Sequence, residues 1–152
     1  MNFINTIKNV TKTEQSLSAL PLRIVAGILF TAHGAQKLFA WFGGYGLDGT
    51  GQWMESIGLT PGYFMALMAG SAEFFGGLLL IIGLLTRPAS LVLAITMVVA
   101  IVTVHLDNGL FMSNNGYEFG LALLAMTVAL LFQGGGKLSV DNKVYQLLNK
   151  NA

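Results

Sequence analysis

Cysteine is absent from the 152 residues, which excludes dithiol chemistry, thiolate-bound metals and disulfide relays within this chain. Charge is scarce as well. Asp, Glu, Lys and Arg make up 10% of the chain, whereas an ordinary soluble domain carries about 25%. With 54% hydrophobic residues and a mean hydropathy of +0.67, such a chain cannot cover itself with a water-facing surface and calls for lipid around it. The net charge of +1 offers no concentrated basic face of the kind nucleic acid requires, so nucleic acid is not an expected partner. Metal-ligand spacing such as H-x-x-x-H is missing, and the seven methionines form no repeated motif, so no metal site is expected.

What the chain has is four long apolar segments, Leu20–Phe42, Gly62–Leu85, Pro88–Leu106 and Tyr117–Phe132. About 20 residues of helix cross a bilayer core, so each reads as a membrane span. The fold expectation is therefore an all-α membrane protein, a four-transmembrane-helix bundle with short amphipathic surface helices. Residues 1–19 form an interfacial segment in which Phe3, Ile4, Ile7 and Val10 recur at helical spacing among Lys8 and Lys12. Residues 20–141 form the transmembrane domain. Residues 142–152 form an amphipathic tail, with Val144, Leu147 and Leu148 opposed by Lys143 and Lys150. The start does not resemble a signal peptide, because its apolar run begins late and continues into a segment long enough to span.

The flanking charges set a topology. Lys8, Lys12, Arg87, Lys137, Lys143 and Lys150 fall at one end of the spans. The connections Gly43–Pro61 and Asp107–Gly116 contain no Lys or Arg and carry Asp48, Glu55 and Asp107. Positive residues stay inside, so both termini are expected in the cytoplasm and the two acidic loops outside.

Six ionisable residues lie in or at the ends of the spans: Arg23, His33, Lys37, Glu73, His105 and Glu118. Lipid penalises such groups, so they are expected to face the protein interior and to serve a function. Counting along the helices puts His33 and Glu73 roughly 14–17 Å from the outer boundary, near the midplane. Lys37 lies one turn further out, while His105 and Glu118 sit at the outer surface and Arg23 near the inner one. This distribution predicts a polar pocket opening outward. Arg23, Gly27, Phe30, His33 and Lys37 share one face of the first span, and Gly70, Glu73 and Gly77 one face of the second. Small residues beside a polar one suit close helix packing around a buried group. In the first outer loop Trp53, Met54 and Ile57 could line one face of a short helix capping the pocket, and Trp41 and Trp53 fit an interfacial belt.

These residues sort into roles. His33 and Glu73, at one depth, form a His–carboxyl pair suited to proton transfer, and are the candidate catalytic residues. Lys37 would offer positive charge to an anion or a reduced oxygen; its alternative is an outer ion pair with Glu118. Arg23 either contributes to ligand binding or snorkels to headgroups. Arg23, Lys37, Trp41, Trp53, His105 and Glu118 complete the candidate binding set. Two glycine motifs carry less. Gly44-Tyr45-Gly46-Leu47-Asp48-Gly49 matches G-x-G-x-x-G but follows an apolar helix, not a strand, and reads as a compact loop. Gly134-Gly135-Gly136-Lys137 follows the fourth span and reads as a helix stop.

Leu22-Arg23, Phe30, His33-Gly34 and Lys37-Leu38 resemble the first span of the DoxX family of small bacterial membrane proteins. The resemblance continues through Glu73-Phe74-Phe75-Gly76-Gly77, Ile82-Gly83-Leu84-Leu85-Thr86-Arg87, Gly116-Tyr117-Glu118 and the run Gly134 to Asp141, and so covers residues 20–141. It implies a four-helix membrane bundle and a link to redox chemistry, since the family name comes from a subunit associated with thiosulfate:quinone oxidoreduction. Arg23, His33, Lys37, Glu73 and Glu118 fall on the family's recurring polar positions; His105 does not. The leading expectation is a quinone-linked redox component of the bacterial cell membrane that binds a quinone or a small aromatic or anion in the outward-facing pocket. It either takes electrons from a membrane or cytoplasmic redox partner or only binds the quinone. The sequence itself displays no electron-carrying cofactor. The alternatives are an assembly or scaffold subunit of an oxidoreductase complex and a small-solute transporter. Glycine-rich helix faces would also allow homo-oligomers.

Overall fold

The computed structural model describes residues 3–150, and these residues form helices and connecting turns with no strand. The side chain of Phe3 and the extreme chain ends, which the charge pattern assigns to the cytoplasm, lie outside the described residues. Seven α-helices follow in order: α1 (Phe3–Thr11), α2 (Ala19–Phe39), α3 (Gly46–Ser56), α4 (Gly62–Ile82), α5 (Thr86–Ala100), α6 (Glu118–Gln133) and α7 (Val140–Lys150). Helices α2, α4, α5 and α6 make the bundle. At one end α3 rests on α4 and touches α2; at the other end α1 and α7 pack on each other.

The α2–α4 contact is the most extensive and depends on glycine. A Cβ at Gly77 would lie 2.6 Å from the Thr31 amide nitrogen, and one at Gly34 would overlap the Phe74 backbone. Only hydrogen fits at these two places, so the two backbones approach closely. Behind this seam Ala26, Phe30, Leu80, Leu93, Met97, Leu123 and Leu130 form the buried core.

Helix α4 stops at Gly83, whose φ of 69° is cheap only for glycine. The Leu84 amide donates to Leu79 O at 3.0 Å and the Gly83 amide to Leu80 O at 3.1 Å, the paired bonds of a Schellman motif. A three-residue turn then leads into α5. Its first amides, Leu85 N and Thr86 N, donate at 2.8 Å to the two carboxylate oxygens of Asp141, which arrives from α7. A helix start normally needs a capping oxygen just before it in sequence; here α7 supplies it from 55 residues away.

The outside of the bundle is apolar. Val25, Ile28, Phe75, Ile95, Val102 and Phe132 are each more than half exposed, which a water-facing surface would not tolerate in such number. Two helices are long and apolar enough to cross a membrane: Gly62–Ile82, with mean hydropathy 1.9, and Thr86–Asn108, with mean hydropathy 2.4. The second is α5 extended by a π-helical turn at Ile101–His105 and a 3-10 turn at Leu106–Asn108. Of the other two expected spans, α2 has 21 residues, but Arg23, His33, Gln36 and Lys37 dilute its apolarity. Helix α6 has only 16 residues.

Candidate functional site

A cavity of about 760 Å³ lies within the α3 end of the bundle. Its walls come from every bundle helix: Phe30, His33, Gln36 and Lys37 on α2, Ala69 and Glu73 on α4, Met97, Ala100 and Thr103 on the α5 arm, and Phe119 and Leu123 on α6. Thr50, Trp53 and Met54 of α3 close over it, and His105 and Asn115 stand at its rim. The volume lies within the range of about 300–1,000 Å³ usual for small-molecule sites, and so does the composition of apolar walls with few polar groups.

The polar groups are arranged around one ion pair. Lys37 Nζ lies 2.6 Å from Glu73 Oε2, with the Glu73 side chain 5% exposed and that of Lys37 24% exposed. This is the one salt bridge among the described residues. The glycine seam makes it, since Gly70 on α4 sits against the stem of Lys37 and Gly34 on α2 against Phe74. His33, one turn before Lys37, lines the same cavity and packs its ring against Phe119 at 5.8 Å between centroids. His105 Nδ1 lies 2.9 Å from Asn115 O. A carbonyl only accepts, so Nδ1 carries the proton, and in the neutral ring Nε2 is left as an acceptor.

Several residues stand elsewhere than expected. The partner of Glu73 is Lys37; no hydrogen bond joins His33 to Glu73 among the described residues. Glu118 does not pair with Lys37 either. Its Oε1 accepts the Met112 amide at 2.7 Å, which staples the loop before α6. Arg23 neither snorkels nor reaches the cavity. At 2% exposure it donates to Leu80 O (2.9 Å), Ile81 O (3.1 Å), Gly135 O (2.5 Å) and Leu138 O (2.9 Å). Four carbonyls at the end of α4 and before α7 thus converge on one guanidinium, at the far end from the cavity. Trp53 lines the cavity, whereas Trp41 stacks at 5.2 Å on Phe39 and is 54% exposed.

The structure adds Gln36, Phe119 and Asp141. Gln36 is three residues after His33 and shares its face, a signal present in the sequence. Phe119 follows Glu118, and nothing in its local pattern separates it from lipid-facing neighbours. Asp141 is the one acid in the run Gly134 to Asp141, a signal present in the sequence. Among the described residues no group of three His, Cys, Asp or Glu is placed to hold a metal ion. The arrangement can donate a hydrogen bond from Lys37, accept or release a proton at Glu73 and His33, and enclose an apolar molecule between them.

The DoxX family model matches residues 18–106, from the start of α2 to the end of the π-helical turn, and takes in Arg23, His33, Lys37, Glu73 and His105. The chain is 36% identical over 130 residues to a Bacillus subtilis protein named "Putative oxidoreductase CatD", covering 86% of this chain and 89% of that one. It is 33% identical over 139 residues to a Mycobacterium tuberculosis protein named "Uncharacterized membrane protein Rv3486", covering 84% and 81%. It is 32% identical over 145 residues to the Escherichia coli "Inner membrane protein YqjF", covering 91% and 98%. No solved structure matches it. Two helices long and apolar enough to span, an apolar outer surface and these relatives give the protein a membrane location. On the extent of these matches, the chain belongs to the DoxX family.

Proposed function

We propose that this protein is the quinone-binding membrane component of a redox system. The observation that carries the reading is an apolar cavity whose polar end is a buried Lys37–Glu73 pair with His33 beside it. A quinone has that duality, a flat apolar ring with carbonyl oxygens that need a donor. Lys37 Nζ would donate to one carbonyl oxygen while Phe119 and Phe30 pack on the ring. Reduction to the hydroquinone takes two electrons, supplied by a redox partner, and two protons. Glu73 and His33 would relay the two protons, taken up from water, to the reacting oxygens, and Lys37 would stabilise the negative charge that builds there. The name of the Bacillus subtilis relative supports an oxidoreductase setting.

The same reading places α2, α4, the extended α5 and α6 across the membrane, with α1 and α7 on its cytoplasmic surface. Lys8, Lys12, Arg87, Lys137, Lys143 and Lys150 all fall at the α7 end, and Asp48, Glu55 and Asp107 at the α3 end. Positive residues stay inside, so the cavity lies in the outer half of the bilayer. The test is mass spectrometry of an organic extract from gently purified protein, with its absorption spectrum recorded first. A stoichiometric quinone, lost in Lys37→Met and retained in Trp41→Phe, is the expected result. An extract containing phospholipid alone would overturn it.

A further inference from the structure

The cavity is not walled evenly. About two helical turns from their connecting turn α4 and α5 are in close contact: a Cβ at Gly76 would lie 3.0 Å from Leu93 Cγ, and Leu93 is fully buried. Ala69 lies two turns from Gly76 on the same face of α4. There the space between the helices belongs to the cavity, which Ala69 lines from one side and Thr96, Val99 and Thr103 from the other. Val99, 47% exposed, stands on the helix between the cavity-lining Thr96 and Thr103 and the exposed Ile95 and Val102, at the edge where the cavity wall meets the outer face. A residue at that edge marks an opening in the wall.

That opening is dressed for lipid. The Thr96 hydroxyl donates to Val92 O at 3.0 Å and that of Thr103 to Val99 O at 2.8 Å, so both are satisfied within their own helix and offer no free donor at the rim. Around the rim Ile95, Val98 and Val102 are 56%, 46% and 61% exposed. The polar groups of the cavity lie deeper, at Lys37, Glu73 and His33.

We infer that α4 and α5 frame a lateral window, and that the ligand of this cavity is a membrane-dissolved molecule whose polar head meets Lys37–Glu73 while its hydrocarbon tail leaves through the window into lipid. This deepens the quinone reading by requiring a tailed quinone. A tail-less solute would instead reach the site from the α3 end. Val99, Thr96 and Ala69 then select for the tail.

The absence of cysteine makes the test direct. Met97 lines the cavity at 6% exposure, and in Met97→Cys it becomes the only thiol in the chain. In nanodiscs, a long-chain N-alkyl maleimide dissolved in the bilayer should label this cysteine, and adding Val99→Trp should slow that labelling at least tenfold. Ala69→Trp should act likewise from the facing helix. Labelling by a small water-soluble maleimide should proceed at the same rate with and without either tryptophan. No labelling by the alkyl reagent, an unchanged rate with the window filled, or an equal fall for both reagents would each overturn the window. Window-dependent labelling together with a quinone-free extract would instead sink the quinone and leave the window standing.

Discussion

Lys37 and Glu73 hold each other in a place where neither would survive alone. Removing one partner of a buried pair leaves the other charge without compensation, at a cost of about 3–5 kcal/mol, while removing both is far milder. Lys37→Met should therefore lose about that much stability, and Lys37→Met with Glu73→Gln should recover most of it. Denaturant unfolding in mixed micelles of the two single variants and the double variant checks this. Losses that add to within about 0.5 kcal/mol would mean the two groups are not coupled. Arg23 is a different kind of buried cation, since its partners are all backbone carbonyls. A lysine keeps the charge but has no planar fork to reach four oxygens at once. Arg23→Lys should cost about 2–4 kcal/mol, near the worth of one or two charge-assisted hydrogen bonds. The ligand bound per folded molecule should stay unchanged, because the guanidinium is outside the cavity. Both cations were legible in the sequence as groups that lipid would not accept, but their partners were not. Counting 1.5 Å per residue locates a Cα, whereas a lysine side chain reaches about one further turn, which is how Lys37 rather than His33 arrives at Glu73. The carbonyls that Arg23 binds lie 57 to 115 residues away, beyond any local pattern.

Each helix depends on a neighbour for something its own sequence does not contain. The α5 start is capped by Asp141 of α7, so Asp141→Ala leaves the Leu85 and Thr86 amides without their acceptor in a nearly closed environment. The expected loss is about 1–3 kcal/mol, with hydrogen exchange accelerating first at those two amides. Exchange that stayed slow there would mean another acceptor takes over. Asp141→Asn, which retains one carbonyl oxygen, should be intermediate. The α2–α4 seam depends on the missing side chain at Gly34. Gly34→Ala would push the helices apart against the Phe74 backbone and weaken the Lys37–Glu73 contact with it, so ligand retention should fall along with stability. The four bundle helices fall on the four apolar segments of the sequence, though only α4 and the extended α5 have the length and apolarity that crossing a bilayer requires. The π-helical turn at Ile101–His105 was not legible. The turn reads Ile-Val-Thr-Val-His, with a Thr of the kind also found at Thr96 within the regular helix, so composition carries no mark of the extra residue in the turn. Helix α3 was legible through Trp53 and Met54, which it turns into the cavity along with Thr50, whereas Ile57, expected on the same face, follows the helix end, is 40% exposed and does not line the cavity.

At the scale of the molecule the two ends differ in kind. The α7 end is a joint in which Arg23, Asp141, Gly83 and Gly135 tie α2, α4, α5 and α7 together, with α1 packed alongside. The α3 end encloses the cavity between a short helix and two loops. The carbonyl-bound joint is thus at one end and the candidate chemistry at the other. On the proposed reading the charge pattern predicts an orientation for this asymmetry, and the cysteine-free background lets that orientation be measured with single thiols. Gln52 on α3 and Lys143 on α7 are both exposed. Gln52→Cys should react with a membrane-impermeant maleimide in spheroplasts, and Lys143→Cys only after lysis. On the proposed reading the orientation matters for the chemistry, because it would decide which compartment exchanges protons with Glu73 and His33. If Lys143→Cys were labelled from outside instead, the mouth of the cavity would open to the cytoplasm. Quinone protonation would then draw on the cytoplasmic pool, and the turnover of such a system would consume protons on that side.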